Sequence, residues 1–167
     1  HLPLIKLVPT GARPPNMAPD VVLVTSASVV RFVPNIAESL GEARVVAVGR
    51  RTKESLEMAG ISVTAVGSEG GLSAVALASL KSGETAWYVG AEKPSLGLDK
   101  ALDQGDWLRW PVYRNVPPIS STMELVRRDD VDVVTFASGS SVRAYVELFG
   151  TPAVPVVVIG PSTAAMA

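Results

Sequence analysis

The chain says one thing twice, and that limits what it can fold into more than any other feature. Asp20-Val-Val-Leu-Val-Thr-Ser-Ala-Ser-Val-Val-Arg31 returns without a gap as Asp132-Val-Val-Thr-Phe-Ala-Ser-Gly-Ser-Ser-Val-Arg143. A second pair follows at nearly the same offset, Ala47-Val-Gly-Arg-Arg-Thr52 against Val158-Ile-Gly-Pro-Ser-Thr163. Each block reads as a buried apolar strand, a short Ser/Thr/Gly turn and a helix, which aims hydroxyls and free backbone N–H groups at one place. Such a turn suits an anion. Because the design occurs twice, the two anion sites are expected to face each other across whatever joins the halves, which favours a large polyanionic ligand.

Strand signals recur at Val21–Thr25, Val45–Val48, Val63–Val66, Trp87–Val89, Val112–Val116, Val131–Phe136 and Val156–Ile159. Most are continuous Val/Ile runs rather than alternating ones, the pattern of parallel strands covered on both faces. Between them the spacing predicts helices over Ser28–Leu40, Thr52–Ala59 with Thr52 as N-cap, Gly71–Leu80, Leu96–Asp103 and Ser120–Arg128. The alternation of strand and helix gives an α/β fold.

Leu2–Val8 is strand-like and ends in the breaker cluster Pro9-Thr-Gly-Ala-Arg-Pro-Pro15. Trp107–Pro118 is similarly short and proline-ended, and Pro111, Pro117 and Pro118 exclude it from a central strand. The two are expected to pair as an exposed two-stranded connector. This gives a connector strand and linker at 1–13, an inserted first α/β domain at 14–106, a connector strand at 107–118 and a second α/β domain at 119–167. Two Rossmann-like parallel-sheet domains are expected, the second one incomplete, since it has two strands of its own where the first has four.

Composition narrows the chemistry. Hydrophobic residues make up 47% and charged residues 19%, which describes a globular chain rather than a disordered one. With 15 basic and 16 acidic side chains the net charge is −1, so there is no overall field to gather nucleic acid. The absence of cysteine removes disulfides and thiol nucleophiles, and a single histidine, His1, leaves no Ser-His-Asp triad and no multi-histidine metal site. No metal or cofactor is expected. No apolar run approaches the roughly 20 residues of a membrane span, and no signal peptide is recognisable, so the chain reads as a cytoplasmic monomer.

Thr25, Ser26 and Ser28 sit where a strand meets a helix, at the carboxyl edge where open α/β sheets place ligands. The same reading applies to Ser138, Ser140 and Ser141 in the second copy, with Gly139 in the same turn. Plain N-capping explains Ser and Thr there equally well; recurrence together with Gly49/Thr52 and Gly160/Ser162/Thr163 is what argues for a site. Tyr88-Val-Gly-Ala-Glu-Lys93 forms another strand-to-turn edge, where Gly90 allows close approach and Lys93 offers charge. Arg31, Arg143, Arg50 and Arg51 can each pair a carboxylate, although exposed helix arginines are commonly solvated. Tyr113 is either an aromatic cover for the hinge or a phenol that faces the interdomain cleft and donates a proton. A two-lobed binding protein for an anionic ligand, without chemistry, remains the competing class.

Val-Thr-Ser-Ala-Ser-Val-Val-Arg, Ala-Val-Gly-Arg-Arg-Thr, Pro-Val-Tyr-Arg-Asn-Val-Pro, Phe-Ala-Ser-Gly-Ser-Ser-Val-Arg-Ala-Tyr and Val-Ile-Gly-Pro-Ser-Thr-Ala, in this order, resemble the uroporphyrinogen-III synthase family over essentially the whole chain. The resemblance implies two α/β domains joined by a two-stranded ladder, with the active site in the cleft between them. It implies a cofactor-free lyase that cyclises the linear tetrapyrrole hydroxymethylbilane to uroporphyrinogen III, losing water and inverting the last ring; an inactive regulatory relative is the variant of that reading. Tyr113 matches the family's connector tyrosine, and Thr25, Ser26, Thr52, Ser138 and Thr163 match its cleft hydroxyls. The chain departs from the pattern at Ala137, where the first block has Thr25, and at Lys93, where many relatives place arginine.

Overall fold

The computed structural model describes residues 4–68, 70–116 and 131–167. The predicted helix over Ser120–Arg128 lies outside them, as do Pro117 and Pro118. The chain divides into two units, Val8–Arg114 and a second formed by His1–Leu7 with Asn115–Ala167.

The larger unit is organised around β2 (Val21–Val24), whose four residues are completely buried. Its parallel partners are β3 (Arg44–Ala47) on one side and β5 (Ala86–Ala91) on the other, with Val24 opposite both Ala47 and Val89. β4 (Ala65–Val66) extends the sheet beyond β3, and β6 (Trp107–Val116) beyond β5, both parallel. β1 (Lys6–Pro9) completes the order β1-β6-β5-β2-β3-β4. Continuous Val/Leu runs end up here because helices cover both faces. At about 1.5–3 kcal/mol for each fully buried aliphatic side chain, β2 and its neighbours form the unit's main apolar store. Leu23 joins Val21, Val46, Tyr88, Leu102 and Trp107 in one cluster.

Three expectations are corrected. The helix predicted over Ser28–Leu40 is two, α1 (Ser28–Phe32) and α2 (Ile36–Leu40). Pro34 has no N–H and drives its predecessor out of the helical region, and Val33 accordingly sits at φ −130°, ψ 82°. The next helix, α3 (Arg50–Met58), starts earlier than expected, with Gly49 as its N-cap and Thr52 in its first turn. Finally, β6 is not a strand apart: it lies inside the sheet, between β1 and β5. Pro111 is tolerated because the β5–β6 register slips there: Gly90 pairs with Pro111 and Ala91 with Tyr113, skipping Val112. The Pro111 carbonyl accepts the Thr10 hydroxyl, and the Thr10 N–H donates to Val112 O at 3.2 Å.

Two tryptophans tie down the proline-rich stretch after β1. Trp110 Nε1 donates to Ala12 O at 2.9 Å and Trp87 Nε1 to Met17 O at 3.0 Å, and the two rings meet edge to face. The remaining helices are α4 (Gly70–Ala78) and α5 (Leu96–Asp103). At the opposite end of the sheet Arg44 Nη2 reaches Glu84 at 2.8 Å. The Lys81 N–H, with Arg44 adding, holds the Glu84 carboxyl below its ordinary range.

In the smaller unit β7 (Val134–Phe136) and β8 (Val156–Val158) pair in parallel, each followed by a helix, α6 (Gly139–Phe149) and α7 (Pro161–Ala164). The register repeats that of the larger unit. Val22, Leu23 and Val24 face Val45, Val46 and Ala47; their counterparts Val134, Thr135 and Phe136 face Val156, Val157 and Val158. The environment does not repeat. Burial on both faces, expected for the continuous Val/Ile runs, fails at β8: Val157 is half exposed, and Ile159, just past the strand, is 76% exposed. Leu4, Phe136 and Val142 form this unit's own core. No helix among the described residues is long and apolar enough to cross a membrane.

Because the strands match in register but not in burial, equivalent truncations should cost unequal amounts. Leu23→Ala is expected to destabilise the larger unit by about 2–5 kcal/mol, whereas Thr135→Ala, at the same place in the repeat but exposed, should stay within about 0.5 kcal/mol. Urea unfolding followed by tryptophan fluorescence checks the first directly, since Trp87, Trp107 and Trp110 all lie in the larger unit. A Leu23→Ala midpoint equal to wild type would contradict the burial of β2.

Candidate active site at the carboxyl edge

In the larger unit the strand order runs outward in both directions from β2 and β5, so the chain changes direction between them, and a crevice is expected outside their carboxyl ends. Thr25 follows β2 and Gly90 sits at the matching level of β5. Thr25 N–H donates to Val89 O at 3.2 Å, and its hydroxyl donates weakly to the same carbonyl at 3.4 Å. Gly90 is required by close approach: a Cβ there would collide with Thr25 Oγ1 and come 2.7 Å from the Tyr88 phenol oxygen.

Tyr88 is the residue of this edge that sequence reasoning passed over. It is 1% exposed, and its phenol donates to Ala91 O at 2.8 Å. Burial, opposed by hydrogen bonding with Thr25, pushes its pKa up to about 12. The signal was available: a tyrosine inside a fully buried apolar run must find a partner for its O–H.

Tyr113 stands in register with Ala91, beyond the slip. It is 7% exposed, its ring stacks on Phe32 with centroids 5.7 Å apart, and its carbonyl accepts the Glu92 N–H at 2.8 Å. Arg31 holds its guanidinium 5.4 Å from the Phe32 ring centroid. Thr25, Gly90, Tyr88 and Tyr113 thus form one neighbourhood, built by β2, β5 and β6.

The other expected residues take varied places. Ser26 Oγ accepts the Ser28 N–H at 3.1 Å, a local turn of the N-capping kind. Gly49 caps α3, and its carbonyl accepts the N–H of Thr52, which is 7% exposed. Lys93 is exposed in the turn after β5.

In the smaller unit Ser138 caps α6, accepting the Ser141 N–H at 3.2 Å, and lies 3.0 Å from the Ser140 hydroxyl. Gly139 opens that helix. Gly160 caps α7 and accepts the Thr163 N–H at 3.1 Å, repeating Gly49 with Thr52; Thr163 is 3% exposed. Ser162 has its backbone in α7, and its side chain is not described.

Fold and edge define a class: a mixed α/β protein with a mostly parallel sheet, presenting hydroxyl-bearing turns and a tyrosine at the carboxyl ends of its strands. Within that class the chain belongs to the uroporphyrinogen-III synthase family, whose model, described as uroporphyrinogen-III synthase HemD, matches residues 1–167. No curated protein matches it. Among solved structures it is similar to a mutant uroporphyrinogen III synthase from the extremely thermophilic bacterium Thermus thermophilus, at 21% identity and a TM-score of 0.68, over 99% of this chain and 77% of that one. It is also similar to the uroporphyrinogen-III synthetase of Helicobacter pylori, at 18% identity and a TM-score of 0.64, over 97% of this chain and 78% of that one. At these identities the likeness speaks for the fold. Together with the family it supports a synthase, a cyclising lyase of porphyrin biosynthesis.

Two measurements probe this edge. Gly90→Ala is expected to cost about 1–3 kcal/mol through overpacking, and adding Thr25→Ala should return part of that loss, because one of the two crowding oxygens is gone. The Tyr88 phenol sets an alkaline limit. Below pH 10 it is neutral folded and unfolded; between 10 and about 12 only the unfolded chain releases the proton, so stability falls as pH rises. The contribution is on the order of 2–3 kcal/mol. Urea midpoints across that window should drop further for wild type than for Tyr88→Phe, and parallel drops would show that the phenol is not sealed from water.

Proposed function

We propose that this chain cyclises hydroxymethylbilane to uroporphyrinogen III with Tyr113 as the proton donor that assists departure of the terminal hydroxyl. The match of the family model over the whole chain carries the reaction. The placement of Tyr113 supports its role: it stands just beyond the slip in β6, its ring stacks on Phe32, and its carbonyl accepts the Glu92 N–H.

The hydroxyl leaves as water with the phenol's proton, and the departing pair leaves an electrophilic methylene on the first ring. The substituted carbon of the last ring attacks it, giving a spiro intermediate that fragments and recloses with that ring inverted. A proton lost from the closing pyrrole carbon returns to the phenolate, so the sum is loss of one water. Uncatalysed closure gives the uninverted isomer, so the protein's task is to hold a conformation before closure.

The acetate and propionate carboxylates of such a substrate need receptors. Helix-entry N–H groups and hydroxyls can serve without a dense basic patch. We assign that role to Thr25, Ser26, Ser28, Gly49, Thr52, Gly90 and Lys93 in the larger unit and to Ser138, Gly139, Ser140, Gly160, Ser162 and Thr163 in the smaller one. Within this set, Thr25 and Gly90 also serve the packing of the edge. The equal register of β2/β3 and β7/β8 supports reading the units as two Rossmann-like domains of one design, with β1 and β6 as the connector.

The test is conversion of hydroxymethylbilane with separation of the isomers. Wild type should yield uroporphyrinogen III; only the uninverted isomer, at the spontaneous rate, overturns the enzyme reading. Tyr113→Phe should lower kcat by about 100-fold, the low end for a lost general acid, with KM within about twofold. Unchanged kcat removes the proton-donor role.

A further inference from the structure

Tyr113 and Tyr88 are joined through one residue, Ala91. Its carbonyl accepts the Tyr88 phenol at 2.8 Å, and its place in the sheet is opposite Tyr113, where the β5–β6 register slips. One residue on, Glu92 N–H donates to Tyr113 O at 2.8 Å. A slipped register is weakly specified by the ladder itself, since skipping Val112 breaks the regular hydrogen-bond pattern at that point. Thr10 holds the far side of the slip through Pro111 O and Val112 O, and the β5 side needs a hold of its own. The Tyr88 phenol, anchored in the core beside Leu23 and Val21, reaches out of it to supply that hold.

From this geometry we infer that Tyr88 is a positioning residue for catalysis: by tethering the Ala91 carbonyl it fixes the slip in β6 and so the angle at which Tyr113 is presented. The inference rests on the proton-donor reading of Tyr113. Tyr88 touches no reacting atom, and its ring is spent on packing; only the O–H is assigned the positioning task. Thr25, whose hydroxyl lies on the same side of Gly90 as the Tyr88 phenol, restrains the same edge through Val89 O. The Tyr88 phenol, pushed up to about 12 by burial, is a donor at neutral pH.

Tyr88→Phe keeps the ring and removes the tether. It should lower kcat by about tenfold, the scale of one buried hydrogen bond, with KM within about twofold and a larger share of uninverted product. A purely structural role would lower the amount of folded enzyme without moving the isomer ratio. The double variant Tyr88→Phe/Tyr113→Phe should be no slower than Tyr113→Phe alone, because a misplaced phenol costs nothing once the phenol is absent. In protein labelled with 3-fluorotyrosine, the Tyr113 fluorine resonance should shift or broaden in Tyr88→Phe while that of Tyr145 stays. An additive double variant, or an unmoved Tyr113 resonance, overturns the positioning role. Full kcat in Tyr113→Phe instead overturns the reading of Tyr113 beneath it, so the two failures are told apart.

Discussion

The complete burial of β2 between β3 and β5 is the constraint on which the rest depends. Four consecutive aliphatic residues with no exposed face can be accommodated only in the middle of a covered parallel sheet, and once β2 is central its carboxyl end becomes the place where the chain turns away in opposite directions. Everything assigned to chemistry in the larger unit hangs on that edge. Thr25 is the next residue after β2, Gly90 and Ala91 end β5, and Tyr113 is set by the pairing of β6 with β5. Loss of core packing under β2 and loss of activity should therefore be hard to separate, whereas changes at the edge that leave the core intact should separate them.

The duplicated block has a consequence beyond symmetry. Strand pairing in the two units keeps one register, and the Gly49/Thr52 turn recurs as Gly160/Thr163 with the same backbone hydrogen bond and a similarly buried threonine. Packing does not recur, since Leu23 is replaced by exposed Thr135. A shared register with unshared burial is what remains when a local design is kept for its turns rather than for its core. The hydroxyl-bearing turns are the constant element, which agrees with giving them the ligand.

Much of this was legible in the sequence, because parallel strands announce themselves as continuous Val/Ile runs and turns as Gly, Ser and Thr. What was not legible depended on single residues acting through tertiary context. Pro34 split a helix whose apolar spacing ran straight through it. Pro111 argued against an inner strand, yet β6 is one, because a register slip removes the demand for the N–H that proline lacks. The hydroxyl residues were found by type, but their hydrogen bonds were not: periodicity cannot say that Thr25 turns to Val89 O or that Ser26 serves the Ser28 N–H. Tyr88 lay within a motif already singled out, and was missed because it reads as one more apolar residue of β5.

In the proposed mechanism the two tyrosines divide the labour of a site without thiols and nearly without imidazoles. A phenol is a weak acid that stays protonated at neutral pH, so it can give up a proton only where the departing group itself draws it away. That suits the role proposed for Tyr113, in which the proton is needed at one step and returned at another. Tyr88 uses the same group in the opposite sense: sealed by burial and bonded to a backbone carbonyl, it holds its proton and acts as a fixed strut. The proposed mechanism uses both, a donor that yields and a donor that does not. In the proposed mechanism the second matters because an angle error at Tyr113 favours closure without inversion of the last ring, and the product is then the isomer that forms without the protein.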